Sequence, residues 1–111
     1  MVKIKSNNNI VIYQNSSGAI ELRGDVKNET IWATQAQIAE VFNIERSVIT
    51  KHIRNIYKDN ELDENRTCAK IAQVQIEGNR RIVRKIEHYN LDVILSVGYR
   101  VNSKTATQFR Q

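Results

Sequence analysis

Along residues 34–56 the apolar side chains recur at helical spacing, whereas on either side they mostly alternate as strands do. Ile38, Val41 and Phe42 mark one face of a first helix, with Gln35, Gln37 and Glu40 turned to water. Thr34 followed three positions later by Gln37 is a capping box, so the helix starts there. Ala39 is small enough to let a second backbone cross closely. Asn43 follows the last apolar residue and tolerates the left-handed conformation that ends helices. Ile44 anchors the turn, and Val48, Ile49, Ile53 and Ile56 form the apolar face of a second helix. That helix is expected to run through Lys58 and stop near Asp59–Asn60. Its other face carries Arg46, Ser47, Thr50, Lys51 and Arg54, with no acid between Glu45 and Asp59. A small crossing residue, a turn and a basic, hydroxyl-bearing exposed face together describe a helix-turn-helix with its recognition helix.

The flanks read as β structure. Asn7–Asn9 suggest a turn-forming or disordered lead-in. Ile10–Tyr13 is a β-branched run, Asn15–Gly18 has loop composition, and Ile20 and Leu22 alternate with Glu21 and Arg23. Residues 10–23 are therefore expected to form a β-hairpin. A polar turn over 24–29 leads to a third extended segment, 30–33, which delivers the chain to Thr34; Trp32 is expected to plug the core. After the second helix, Asp59, Glu61, Asp63 and Glu64 form an acidic loop that phosphate would repel, so it should point away from any duplex. Residues 67–76 and 80–89 lean towards strand around Glu77-Gly78-Asn79, a short Gly-Asn hairpin. Ile82, Arg84 and Ile86 share one face of its second arm, and Arg81, Val83 and Lys85 the other. Asn90–Val97 reads as a capped apolar helix with Gly98 as its stop, and Ser103 as the cap of a last helix through Ala106 and Phe109. The chain ends part-way into that last pattern, as the N-terminal part of a longer protein would. The expected architecture is α+β: one domain over 1–111, a winged helix-turn-helix with an N-terminal β-hairpin and additional C-terminal helices.

Charge sharpens this picture by its placement. The net charge is +5, yet residues 1–66 hold nine Lys or Arg against nine Asp or Glu, while residues 67–111 hold eight against three. A basic half beside a helix-turn-helix points to a polyanion. Composition narrows the rest. No apolar run approaches the ~20 residues that cross a bilayer, and residues 1–13 lack a continuous apolar signal-type segment. A cytoplasmic protein without a membrane partner is expected. Cys68 is alone, and His52 and His88 have no ligands at metal spacing, so neither a disulfide nor a zinc site is expected. Cys68 and His88 read as a small buried side chain and a strand-end residue. Tyr99-Arg100 is too slight a pattern for a tyrosine nucleophile. No catalytic residue, metal or cofactor is expected, and the chain is not read as an enzyme.

The expected partner is double-stranded DNA, bound sequence-specifically. The first helix should cross the backbone, with Thr34 or Gln35 and its N-terminal amides reaching a phosphate. Arg46, Ser47, Thr50 and Lys51 should meet base edges in the major groove. Arg54 and Lys58 lie further along, nearer phosphate. Arg80, Arg81 and Arg84 on the wing, with Lys104, should add salt-sensitive affinity. A homodimer through the apolar edge of the last helix is expected to help so small a domain bind. The rival reading is a protein–protein adaptor on the same scaffold, which would need an apolar docking surface.

Four strings resemble one family. They are Ile31–Glu40, Arg46–Ile53, Cys68–Lys70 and, most specific, Tyr89–Ser103. Together they are similar to the RhuM family, bacterial proteins named for a virulence-associated member and often carried on mobile elements. The resemblance runs from about Ile10 to the end and implies a winged-helix-like N-terminal DNA-binding domain, while the helix-turn-helix and the charge split are what point to transcriptional regulation or a toxin–antitoxin-linked system. It also implies Fic/Doc-type proteins as neighbours or partners, and it implies no reaction. The departures are the basic run Arg80-Arg81 after Gly78 and Asn43 where Gly is usual.

Overall fold

A computed structural model describes residues 2–5, 10–15 and 18–101. Within them the chain is mixed α and β. Strands β1 (Val2–Lys5), β2 (Ile10–Asn15), β3 (Gly18–Asp25) and β4 (Thr30–Ala33) precede helices α1 (Gln35–Phe42), α2 (Arg46–Lys58) and the short α3 (Glu64–Thr67). Strands β5 (Cys68–Glu77) and β6 (Arg80–Asn90) and helix α4 (Leu91–Val101) follow. All strands join one antiparallel sheet in the order β1-β2-β3-β4-β6-β5. The expected hairpin over 10–23, the segment 30–33 and the hairpin around Gly78 are all present. Strand β1 and helix α3 were not expected: four residues carry too little periodicity to announce either. The expected lead-in at Asn7–Asn9 and the helix from Ser103, with its dimer edge, lie outside the described residues.

The core follows from the two-residue period of the strands. Val11, Tyr13, Ile20, Leu22, Ile31, Ala33 and Tyr89 fall on one face of the sheet by register, and all are buried. Against them lie Ile38, Val41 and Phe42 of α1, Ile49, Ile53 and Ile56 of α2, and Val93, Ile94 and Val97 of α4. Removing that area from water is the main stabilising contribution.

Several expectations are corrected by this geometry. Trp32 lies opposite in parity to Ile31 and Ala33, so it sits on the outer face, half-buried, and its indole N–H donates to the Asp25 carboxylate at 3.0 Å. Val48 is 38% exposed, because Ile49 already occupies the core side of that turn. Gln35 and Gln37 are half-buried rather than free in water. Cys68 is half-buried, not fully buried, and His88 is fully buried. Gly98 does not stop α4; it is buried inside the helix, which continues to Val101. A helical glycine costs about 1 kcal/mol, and α4 carries Gly98 together with Arg100, which reaches Asp59 (3.4 Å) and Glu61 (2.8 Å).

Strand β4 pairs with β6 only at Trp32–Asn90 and Ala33–Tyr89. From Arg80 to His88, β6 has β5 as its strand neighbour and nothing of β4 beside it. The two strands therefore form an arm rooted next to α1.

Candidate nucleic-acid interface

The α1–α2 unit is built as its residues dictate. Thr34 accepts a hydrogen bond from the Gln37 amide at 3.1 Å, while the Gln37 side chain accepts from the Thr34 amide at 2.9 Å. Both ends of the capping box are therefore closed. Asn43 sits at φ 55°, ψ 49°, and the Ile44 amide bonds back to Ala39 at 3.0 Å, turning the chain into α2. At the far end Asn60 takes φ 56° and the Glu61 amide reaches Ile56 at 3.0 Å, which stops α2.

Helix α2 then separates its faces cleanly. Ile49, Ile53 and Ile56 are buried, while Arg46, Ser47, Lys51, Arg54 and Lys58 are exposed. No acid lies between Arg46 and Lys58, so the outer face is cationic along its length. Val48 joins that face. Its exposure is not legible in the sequence, because an apolar side chain one position before Ile49 reads as core.

Two of the expected contact residues are committed elsewhere. The Thr50 hydroxyl bonds the Gln35 side-chain oxygen and lies 3.0 Å from the Arg46 carbonyl. The Gln35 amide donates to the Tyr89 hydroxyl at 3.1 Å, and Tyr89 donates to Glu87 at 3.1 Å. Thr50, Gln35, Tyr89 and Glu87 thus form a directional chain from α2 through α1 into β6. Burial raises the Tyr89 hydroxyl well above the ordinary tyrosine range, so it stays protonated and can donate. Tyr57, tilted against Tyr89 with ring centroids 6.5 Å apart, is pushed up to about 12 by burial.

The arm divides its cations by register. Gly78 takes φ 62° in a two-residue turn that pairs Glu77 with Arg80. Arg81 and Lys85 continue the face that carries Tyr89, the helix side of the sheet. Arg80 and Arg84 belong to the opposite face, and Arg84 is neutralised by Glu77 at 2.9 Å. The three arginines expected to act together are therefore split, and Lys85 takes the place beside Arg81 that Arg84 was expected to fill. The alternation of β6 in the sequence points to the same split, with Arg84 on one face and Arg81 and Lys85 on the other.

The remaining polar groups are structural. Arg100 holds the Glu61 carboxyl below its usual range and ties the acidic loop to α4. His88 lies 2.8 Å from the Ile86 carbonyl through Nδ1 and 3.3 Å from the Gln73 amide through Nε2, an arrangement that satisfies a neutral ring with the proton on Nδ1. Burial lowers its pKa accordingly. His52, half-buried, is lowered by burial and by the nearby Arg100 and Lys51. Among the described residues no helix is long and apolar enough to cross a membrane, and no three or more His, Cys, Asp or Glu gather as a metal site.

Residues 66–111 match the family model described as the Virulence protein RhuM family. The match takes in the β5–β6 arm and α4 and leaves out α1 and α2. Comparison with curated proteins and with solved structures returned no match.

Proposed function

We propose that this chain, RhuM-like from residue 66 onward, binds double-stranded DNA with α2 in the major groove and the β5–β6 arm as a wing beside it. The observation that carries this reading is the outer face of α2, where Arg46, Ser47, Lys51, Arg54 and Lys58 are exposed with no acid among them. Helix α2 is anchored by three buried isoleucines and by the Thr50–Gln35 bond, so its outer face is held rigidly for recognition. Arg46, Ser47 and Lys51 lie in its first two turns, where base edges are read in such motifs. One bidentate arginine–guanine contact gives ~1–3 kcal/mol of discrimination. Arg54 and Lys58 lie nearer phosphate, and Arg81 with Lys85 supplies the wing's charge. Thr34 is a backbone-phosphate contact only through its free hydroxyl proton, and Gln35 and Thr50 act by fixing the two helices. The cellular role that fits is the DNA-binding part of a transcriptional regulator or of a mobile-element or toxin–antitoxin-linked protein.

A titration of random and genomic duplexes at two salt concentrations tests this. With about six phosphates neutralised, log affinity should fall against log salt with a slope of roughly −5. An Arg46→Ala, Lys51→Ala double variant should bind far more weakly at the lower salt. Unchanged binding would remove α2 as the contact face.

A second reading, a protein adaptor docking a Fic/Doc-type partner, is favoured by one observation: Val74, Ile76 and Val83 are exposed on the arm. It predicts partner binding that salt hardly weakens and that the α2 double variant leaves intact.

A further inference from the structure

Strand β5 is the edge of the sheet, and it carries few of the devices that keep edges apart. It spans ten residues, contains no proline, and between Cys68 and Ile76 its only charge is Lys70. Its exposed side chains include Val74 (52%) and Ile76 (72%), with Val83 (64%) beside Val74 on β6.

The hairpin register fixes which backbone groups face outward. Glu77 and Arg80 flank a two-residue turn, so they exchange hydrogen bonds, and the unbroken pairing makes every odd-numbered residue of β5 bond inward to β6. Lys70, Ala72, Val74 and Ile76 therefore turn their N–H and C=O groups to the free edge. We propose that a second copy of this chain pairs there, β5 against β5 in antiparallel orientation, about a two-fold axis through Val74.

The strand is complementary to itself in that register. A two-fold axis perpendicular to the sheet keeps each face continuous, so only residues of equal parity can oppose one another, which suits the outward-facing even set. Val74 then meets its own copy, and small Ala72 meets large Ile76 on both sides of the axis. Across the four central strands the middle row reads Val83, Val74, Val74, Val83. Lys70 falls opposite Gly78, and on the other face Gln73 falls opposite Gln75, so no like charges meet. Arg81 and Lys85 lie one strand inward and stay exposed. The pairing rests on the strand edge alone and holds whether or not the chain binds DNA.

The test is the mass of the 111-residue chain in solution, by light scattering and sedimentation over a wide concentration range. A concentration-dependent dimer is expected. Val74→Lys sets two cations face to face on the axis and should weaken dimerisation by about tenfold or more. Ala72→Pro removes an outward N–H without touching the β6 ladder, so a folded monomer is expected. Val83→Lys, one strand in, should weaken the dimer less. Mixing Val74→Lys chains with Val74→Glu chains should restore a mixed dimer, which only this register predicts. A wild-type chain that stays monomeric throughout overturns the proposal. So does a dimer that Val74→Lys and Ala72→Pro leave as tight as wild type, or a failure of the mixed pair to form.

Discussion

Asn43 shows how a single residue sets the angle between two helices. At φ 55° most side chains clash with their own backbone, whereas Asn and Gly are accommodated. Asn43→Ala should destabilise the fold by roughly 1 kcal/mol and Asn43→Gly should cost almost nothing, as urea unfolding of the three proteins will show. This residue was legible beforehand, because capping and left-handed turns depend on chemistry within a few positions. Trp32 and Val48 were not. Each is apolar, and its inward or outward direction is decided by which neighbour takes the core first. The cations of the arm differ from these two, because the alternation of the strand already sorts them by face. On the proposed DNA-binding reading, Arg81→Ala and Lys85→Ala should each lower affinity for a duplex and flatten the salt slope by about 1, whereas Arg84→Ala should do neither. Arg84 already has Glu77 as counter-charge and stands on the other face of the strand.

The helices and strands are held to one another by polar contacts that no local pattern announces. Gln35 and Thr50 looked like free donors on exposed helix faces, yet they join α1 to α2 and, through Tyr89, to the root of the arm. Such a bridge spans 54 positions of sequence, and nothing in either segment marks its partner. Tyr89→Phe should cost about 1 kcal/mol of stability, the value of a typical net hydrogen bond, and should weaken DNA binding beyond that cost by loosening the arm. Equal affinity at matched folded fraction would argue against the coupling. His88 makes a complementary case between β5 and β6. The folded state lowers its pKa from 6.5, so it contributes fully above that value and progressively less as pH falls through the lowered folded value. Melting temperature should therefore drop between pH 7.5 and pH 5.5, and His88→Gln should flatten the drop, with His52 supplying a remainder of the same sign. An unchanged slope in that variant would assign the effect elsewhere.

At the scale of the whole molecule, ion pairs tie segments far apart in sequence to one another. Arg100 ties the acidic loop after α2 to α4 through Asp59 and Glu61, while Glu64 of that loop lines one cleft with Arg54 and Lys58 of α2. Arg100→Ala should release the loop at a cost of no more than about 1 kcal/mol, since the pairs are partly exposed and salt screens them. That cost should vanish in acid: Glu61 has a lowered folded pKa, so the contribution is present above the ordinary glutamate range and lost as pH falls through the folded value. Denaturation of both proteins at neutral and acidic pH will show the difference shrink. The overall arrangement of a sheet backed by helices was legible because burial follows period. The brevity of β4 was legible too, but its result was not. Because β4 leaves β6 at Ala33, residues 80–87 stand out as a cantilever about 25 Å long at ~3.3 Å per residue. A tilt of ten degrees at Tyr89 would swing Arg81 through roughly 5 Å at that same rise. Leverage of that kind would pass any small shift at the packed Tyr89 to a distant cation in magnified form.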